Sequence, residues 1–218
     1  MIFNKYLNLF FPLQNYDFTN IDRYLSEKEI LNCHSRLKKL TIEQSRYLES
    51  IYVMSNYTNK IVFDLIKRSK YNNEWKICDV FAYSIYYKIF VNGEIFIPDP
   101  QVLIPVPADF SRFIQRGYNV PSCICKVLSK KINIPVIDIF IKKRNTISQN
   151  KLDKKSRLNN LNNVFKINQD IKYNFSNIEI VWIVDDVSTT GTTLLECAKT
   201  IKKSFPYLKI YGIVISSN

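Results

Sequence analysis

The chain has 218 residues, of which 46% are hydrophobic and 14% aromatic, and its formal net charge is +12 at pH 7. This composition supports a hydrophobic core and is not that of a disordered chain, and the length allows one good-sized domain with a smaller appendage. The charge favours polyanionic partners such as nucleic acids or phosphorylated small molecules, although a composition rich in Lys, Asn and Ile would by itself produce a similar balance.

The N-terminal stretch MIFNKYLNLFFPLQNY is apolar but is interrupted by Asn4, Lys5, Asn8 and Pro12. It is too short to span a membrane as a helix, and it lacks a small-residue cleavage site. We therefore expect a cytoplasmic protein. A peripheral position on the inner membrane, through a basic face, stays open.

Residues 1–60 are predicted to form a helical N-terminal region. Within the segment from Thr19 to Met54, apolar residues recur at roughly helical spacing between positions 21 and 40. Two further helices are predicted over TNKIVFDLIKRSK, with a cap at Thr58 or Asn59, and over CDVFAYSIYYKIF.

Cysteine and histidine usage argues against a zinc site. The five cysteines form no CxxC pair, and the single histidine, His34, follows Cys33. Four ligands at zinc-finger spacing cannot be drawn from this set, so we expect no structural zinc. Most of the cysteines are expected to be buried in a reducing compartment, and His34 is expected to be a surface or helix residue rather than a catalyst.

From residue 99 onward, apolar strands alternate with helices. The predicted strands are QVLIPVP, IPVIDIFIKK, IEIVWIV and KIYGIVISS, and the predicted helices are NVPSCICKVLSKKI and TLLECAKTIKK. Strands of this kind, buried on both faces, are typical of a parallel sheet covered by helices. The sequence therefore predicts an α/β fold with a central parallel sheet.

Two basic segments follow strands of this predicted sheet. QVLIPVP ends in a rigid loop in which Pro105 and Pro107 flank Val106. Neither proline has a backbone N–H to donate, and Arg112, Arg116 and Gly117 come next. Two guanidinium groups beside a glycine suit a pyrophosphate, although Arg116 could instead cap a helix or pair with an acid. Residues 142–157 contain seven cations and one acid, which indicates either a solvated face or a phosphate-contacting loop.

The segment IEIVWIVDDVSTTGTT places two carboxylates and a hydroxyl-rich turn after an apolar strand. Asp185 and Asp186 are predicted at the carboxyl end of that strand, where open α/β sheets bind ligands. The turn that follows offers hydroxyls and backbone N–H groups at a helix N-terminus, which suits a phosphate. The members of this turn are Val187, Ser188, Thr189, Thr190, Gly191, Thr192 and Thr193.

A phosphate at one end of a ligand and a diol near it describe a ribose 5-phosphate. The aspartates would repel the phosphate, so we expect them to hold ribose hydroxyls, Mg²⁺ with its waters, or both. A helix cap complemented by Asp186 is the structural alternative. The chain contains no GxxxxGK[ST] and no GxGxxG, which excludes a P-loop and disfavours a dinucleotide site, and too few residues follow the pair for a receiver domain.

Together these motifs resemble the ComF family of type I phosphoribosyltransferase-like proteins. The strand with DDVSTTGTT resembles the signature that binds 5-phosphoribosyl 1-pyrophosphate (PRPP), and IPVPADFSRFIQRGYN and RNTISQNKLDKKSRLNNLNNVF resemble two further family motifs. The three cover residues 64–218. Lys70 matches a family lysine of unclear role, Val120 replaces a glutamine common in the family, and the family's N-terminal zinc cysteines are missing.

The resemblance implies a type I phosphoribosyltransferase domain over residues 61–218. By this resemblance, the pyrophosphate loop consists of residues 105–107 with Arg112, Arg116 and Gly117. The resemblance also implies that the basic segment is a mobile lid, whose site residues are Arg144, Gln149, Lys151 and Arg157. It assigns catalysis to Asp185, Asp186 and Arg144, with PRPP and Mg²⁺ as ligands and pentosyl transfer as the reaction.

The same family is associated with DNA uptake, which implies a role in natural transformation. An alternative function is single-stranded DNA binding beside an import helicase or channel, with PRPP as regulator or without catalysis. Tyr71, Tyr86 and Tyr87 would then stack on bases, or else pack in the core. A homodimer stays open, as does a scaffold without ligand, which the intact signature argues against.

Overall fold

A five-stranded sheet organises the part of the chain described by this computed structural model, namely residues 33–142 and 164–217. In spatial order its strands are β1 (Arg36–Lys38), β2 (Ser50–Asn56), β7 (Lys209–Ser217), β6 (Ile180–Val187) and β3 (Val102–Pro105). Strand β1 is antiparallel to β2, and the other neighbours are parallel. The carboxyl ends of β2, β7, β6 and β3 therefore meet at one edge of the sheet.

Helices cover both faces of this sheet. They are α1 (Lys60–Tyr71), α2 (Ile77–Tyr86) with a π-helical continuation over Tyr87–Val91, α3 (Phe110–Arg116), α4 (Val120–Ile132) and α5 (Thr192–Ser204). A short 3-10 helix spans Gln44–Arg46, and β4 (Phe140–Lys142) pairs with β5 (Phe165–Ile167) in a separate antiparallel ribbon.

The alternation of side chains along β6 divides the core into two layers. Trp182 and Val184 pack with α1, α2 and α4, whereas Val181 and Ile183 pack with α5 on the opposite face. All four side chains are fully buried. Burial on both faces explains why the strand is a continuous apolar run rather than an alternating one.

The α/β class is confirmed, with a mostly parallel sheet between helices. The cap at Asn59 is also confirmed, because its side chain accepts hydrogen bonds from the N–H groups of Ile61 and Val62. Strand IPVIDIFIKK is shorter than predicted. Only Phe140–Lys142 forms a strand there, and Val136 adds an isolated bridge to Leu103.

The helical prediction is wrong for residues 33–56, which contain β1 and β2. Strand β2 has five consecutive buried residues because it lies between β1 and β7 with both faces covered. A short apolar run of this kind cannot be assigned to helix or strand by periodicity alone. Residues 1–32 lie outside the described residues, and the division into domains at residue 60 stays a prediction.

Cys33, Cys78, Cys125 and Cys197 are buried, and His34 is exposed, as expected. Across residues 33–142 and 164–217, no helix is long and apolar enough to cross a membrane.

Candidate functional site

The two aspartates form the last part of β6 and point to opposite faces of the sheet. The strand continues to Val187, beyond its predicted end, and Asp185 is in register with Val214 of β7. By alternation, Asp185 shares the α5 face with Ile183, while Asp186 shares the α1 face with Val184. Each carboxylate also accepts a hydrogen bond from the next N–H along the chain, at 2.8 Å for Asp185 and 2.6 Å for Asp186.

Lys70 has a defined partner, which the sequence did not reveal. Its Nζ lies 2.8 Å from Oδ2 of Asp186, and both side chains are largely buried. The preceding residue, Ser69, is held through its carbonyl oxygen by the hydroxyl of Tyr118, a buried residue of the RGYN motif. The motif therefore positions the end of α1, and with it the ammonium group beside the carboxylate pair.

Burial dominates the electrostatics of Asp185. It raises the pKa of this carboxyl group to about 7, and the charge of Asp186 adds to the rise, whereas Lys70 and the N–H of Asp186 act in the opposite direction. Two adjacent carboxylates with little solvent resist carrying two negative charges. The site therefore favours a ligand that supplies hydroxyl donors or a cation.

The raised pKa predicts how pH affects the stability of the ligand-free protein. In the unfolded chain an aspartate titrates near its ordinary value of about 3.9, so between about pH 4 and 7 the folded state holds a proton that the unfolded state has lost. The contribution of Asp185 to the free energy of unfolding therefore falls as pH rises through this window.

Asp185→Asn should remove this decline. At pH 8, we expect the free energy of unfolding of the variant to exceed that of the wild type by at least about 1.4 kcal/mol, the equivalent of one pKa unit. This difference should shrink towards pH 4. Thermal unfolding of both proteins from pH 5 to 8 measures the difference. Other raised carboxyls, such as Asp79 with a pKa of about 6, are common to both proteins and cancel. A difference that is constant with pH would contradict the prediction.

The turn between β6 and α5 has three backbone N–H groups without a partner among the described residues. Its residues are Ser188, Thr189, Thr190 and Gly191, and α5 begins at Thr192. The N–H of Ser188 bonds to Ser216, but those of Thr189, Thr190 and Gly191 make no hydrogen bond within the described part of the chain. The start of α5 also has no side-chain cap. Such a cluster of free N–H groups at a helix N-terminus is suited to a phosphate.

Residues far away in sequence hold the carbonyl side of this turn. Nζ of Lys38 lies 2.6 Å from the carbonyl oxygen of Thr189 and 3.4 Å from that of Ser188. Nε2 of Gln44 donates to the carbonyl oxygen of Thr190 at 2.9 Å. Neither residue was predicted from the sequence, because both lie in a segment predicted as helix and belong to no motif.

Gly191 has a reason of its own to be glycine. Its φ is +80°, in the left-handed region, and a Cβ at this position would lie 2.4 Å from Nε2 of Gln44. The close approach that glycine permits here is to the side chain of Gln44.

The proline-flanked loop lies next to the carboxylate pair because β3 is the neighbour of β6. Asn119 of the RGYN motif fixes this loop by donating to the carbonyl oxygen of Val106 at 2.9 Å. Gly117 ends α3 in the left-handed conformation, with φ of +76°. The motif therefore shapes the connection from loop to helix, and Pro105 and Pro107 flank the residue that Asn119 holds.

Arg116 and Arg112 have different surroundings. The Nε of Arg116 is buried without a hydrogen-bond partner among the described residues, and its guanidinium lies over the ring of Tyr71, 5.4 Å from the centroid. Arg112 is about half exposed, and its Nε lies 3.8 Å from Oδ2 of Asp109, the residue that precedes its helix. Arg116 is therefore the better candidate to meet an anion, since Tyr71 directly follows Lys70.

The fold places most of the predicted site residues at one sheet edge. Arg144, Gln149, Lys151 and Arg157 lie outside the described residues, so the predicted lid stays a prediction. Of the aromatic residues considered for base stacking, Tyr86 and Tyr87 pack against the core, whereas Tyr71 is 71% exposed.

Two competence proteins are similar to this protein over most of the chain. It is 29% identical over 175 residues to Competence protein F of Haemophilus influenzae, covering 79% of this chain and 75% of the relative. It is 25% identical over 204 residues to Competence protein ComFC of Bacillus subtilis, covering 80% and 78%. A DNA utilization protein, YhgH of Escherichia coli O157:H7, is 29% identical over 48% of this chain and 44% of its own. The ComF resemblance is therefore confirmed.

No protein-family model matches the chain. Among solved structures, adenine phosphoribosyltransferase of Leishmania tarentolae is similar with a TM-score of 0.40 and 11% identity, over 84% of this chain and 95% of that one. The enzyme of Leishmania donovani is similar with a TM-score of 0.34 and 12% identity, over 84% and 86%.

Proposed function

We propose that this protein binds PRPP together with Mg²⁺ at the carboxyl edge of its sheet and serves DNA uptake as a phosphoribosyltransferase-like protein. The observation that carries the proposal is the meeting of the carboxylate pair, Asp185 and Asp186, with a turn in which the N–H groups of residues 189–191 have no partner among the described residues. The names of the competence relatives support the physiological role.

The donor set fits each part of this ligand. The N–H groups of residues 189–191 suit the 5-phosphate, and the two carboxylates suit the ribose hydroxyls. The buried Nε of Arg116 is a donor in need of an acceptor, which a pyrophosphate oxygen would supply. Asp185 would meet the ligand from the α5 face and Asp186 from the α1 face, so the pair would hold the ribose from both sides.

Magnesium also suits the residues present. Carboxylate oxygens are the ligands that Mg²⁺ prefers, and it is commonly held by one or two of them together with substrate phosphates. When bound, it would neutralise charge on the pyrophosphate and make it a better leaving group. The protein's own contribution would be positioning, with Lys70 reducing the repulsion between the aspartates and the anionic ligand.

Calorimetric titration of wild-type protein tests the proposal. We expect saturable binding of PRPP with Mg²⁺, weaker binding without the metal, and weaker binding of ribose 5-phosphate, which lacks the pyrophosphate. Release of pyrophosphate on addition of candidate amines then tests for pentosyl transfer. Absence of saturable PRPP binding by the folded protein would refute the proposed function.

Single-stranded DNA binding is the second candidate, because the exposed ring of Tyr71 lies under the guanidinium of Arg116. Such a pair could stack on a base beside its phosphate. An oligonucleotide titrated in the presence and absence of PRPP distinguishes the two. Competition would indicate a shared site, and independent binding a separate one.

A further inference from the structure

We infer that Lys38 and Gln44 are positioning residues for the phosphate: they hold three successive carbonyl groups of the turn so that the N–H groups of Thr189, Thr190 and Gly191 face the ligand. This inference rests on the proposed function. It assigns a binding role to the N-terminal part of the chain, in which no family motif was found.

The three carbonyl groups are held from one side. Lys38 contacts those of Ser188 and Thr189, at 3.4 and 2.6 Å, and Gln44 contacts that of Thr190 at 2.9 Å. Each peptide unit is planar and trans, so its N–H points opposite to its C=O. Holding the carbonyls of residues 188–190 therefore turns the N–H groups of residues 189–191 to the other side, where they find no partner among the described residues.

Lys38 has no role in an ion pair that would explain its position. Within residues 33–142 and 164–217, its ammonium contacts only uncharged oxygens, the third being Oγ of Ser217 at 2.7 Å. Its three N–H donors are thus matched by three acceptors. A cation behind the carbonyls also polarises the peptide units in the sense that strengthens their N–H groups as donors to an anion.

Gln44 is fixed from both ends of its amide. It is 4% exposed, its Oε1 accepts from the N–H of Thr41 at 3.0 Å, and its Nε2 is left for Thr190. The 3-10 helix Gln44–Arg46 leads into β2, which pairs with β7, so the backbone that carries Gln44 is fixed by the sheet. Because the side chain of Gln44 is fixed, it lowers the entropy cost of ordering the turn around a phosphate.

Two variants test the inference against a matched control. Lys38→Met removes the ammonium, and Gln44→Met removes the amide that donates to Thr190 and accepts from Thr41, without adding a charge beside the turn. Lys39→Met is the control, because Lys39 is exposed and, among the described residues, forms no hydrogen bond or ion pair with the turn. Binding of PRPP, ribose 5-phosphate and magnesium pyrophosphate is measured for each protein by calorimetry.

We expect the Lys38 and Gln44 variants each to bind PRPP and ribose 5-phosphate about tenfold more weakly or worse. The Lys38 variant loses a charge-assisted hydrogen bond, and the Gln44 variant loses a buried donor. Pyrophosphate binding should stay unchanged in both, as should all three affinities in the control. A role in folding alone would not separate ribose 5-phosphate from pyrophosphate.

Amide shifts give a second readout in the wild type. Ribose 5-phosphate should move the N–H resonances of Thr189, Thr190 and Gly191. If the wild type binds PRPP and ribose 5-phosphate and the Lys38 and Gln44 variants bind them equally well, the inference is wrong while the proposed function stands. If the wild type binds neither PRPP nor ribose 5-phosphate, the proposed function fails and takes the inference with it.

Discussion

Replacing both strand-end carboxylates by amides, Asp185→Asn with Asp186→Asn, is expected to abolish measurable binding of PRPP with Mg²⁺. Each carboxylate would lose a charged hydrogen bond to the ribose or a contact to the metal, which together corresponds to roughly a 100-fold loss of affinity or more. Calorimetry under the conditions used for the wild type measures the loss.

The fold should survive this change. An asparagine has the size of aspartate, and its oxygen can still accept the N–H bonds that Asp185 and Asp186 now accept. Removing two negative charges from a buried edge also relieves the repulsion that raises the pKa of Asp185 to about 7. Lys70 loses its ion pair with Asp186, which offsets part of that gain. Circular dichroism and thermal unfolding would verify the fold.

Asp99→Asn with Asp170→Asn is the matched control, because it removes the same charge from two exposed positions. Asp99 precedes β3 and therefore lies near the opposite edge of the sheet. The control should bind PRPP as the wild type does. Binding that persists in the Asp185/Asp186 variant would place the ligand elsewhere on the protein.

Gly191→Ala is expected to damage both stability and ligand binding. The left-handed φ of +80° costs an alanine about 1–2 kcal/mol, and the new Cβ would lie 2.4 Å from Nε2 of Gln44. Relief of this clash must move Gln44 from the carbonyl of Thr190, which adds about 1 kcal/mol for a lost hydrogen bond. We expect a loss of about 2–3 kcal/mol in the free energy of unfolding, measured with urea, and a weaker affinity for PRPP.

Gly93→Ala separates the backbone strain of a positive φ from the clash with Gln44. Gly93 also has a positive φ, +61°, but a Cβ there would meet nothing within 4 Å. It should show the backbone strain alone, about 1–2 kcal/mol, and bind PRPP normally. In the double variant Gly191→Ala with Gln44→Ala, the clash is absent, so the combined loss should be smaller than the sum of the two single losses. Equal losses for Gly191→Ala and Gly93→Ala would show that Gln44 is not in contact with this turn.

Local patterns predicted the part of the fold that positions the carboxylates. The apolar run before Asp185, the turn rich in threonine and the amphipathic segment after it define a strand, a loop and a helix without outside information, and β6 and α5 form there. The N-terminal strands could not be predicted in this way. Apolar runs such as β2 become strands because β7 supplies their hydrogen bonds, and that partner lies about 160 residues later in the chain.

The sequence by itself determined that a carboxylate pair and a phosphate-binding turn lie at the end of one strand, because strand, turn and helix are local and the two chemistries are adjacent along the chain. Only the tertiary structure decided what surrounds them. The contacts around the site join segments that are distant in sequence. They are those of Lys70 with Asp186, of Arg116 with Tyr71, and of Lys38 and Gln44 with the carbonyl groups of the turn. These contacts depend on the order of strands in the sheet and the packing of α1 against it, and the spacing of residues in one sequence carries no record of either.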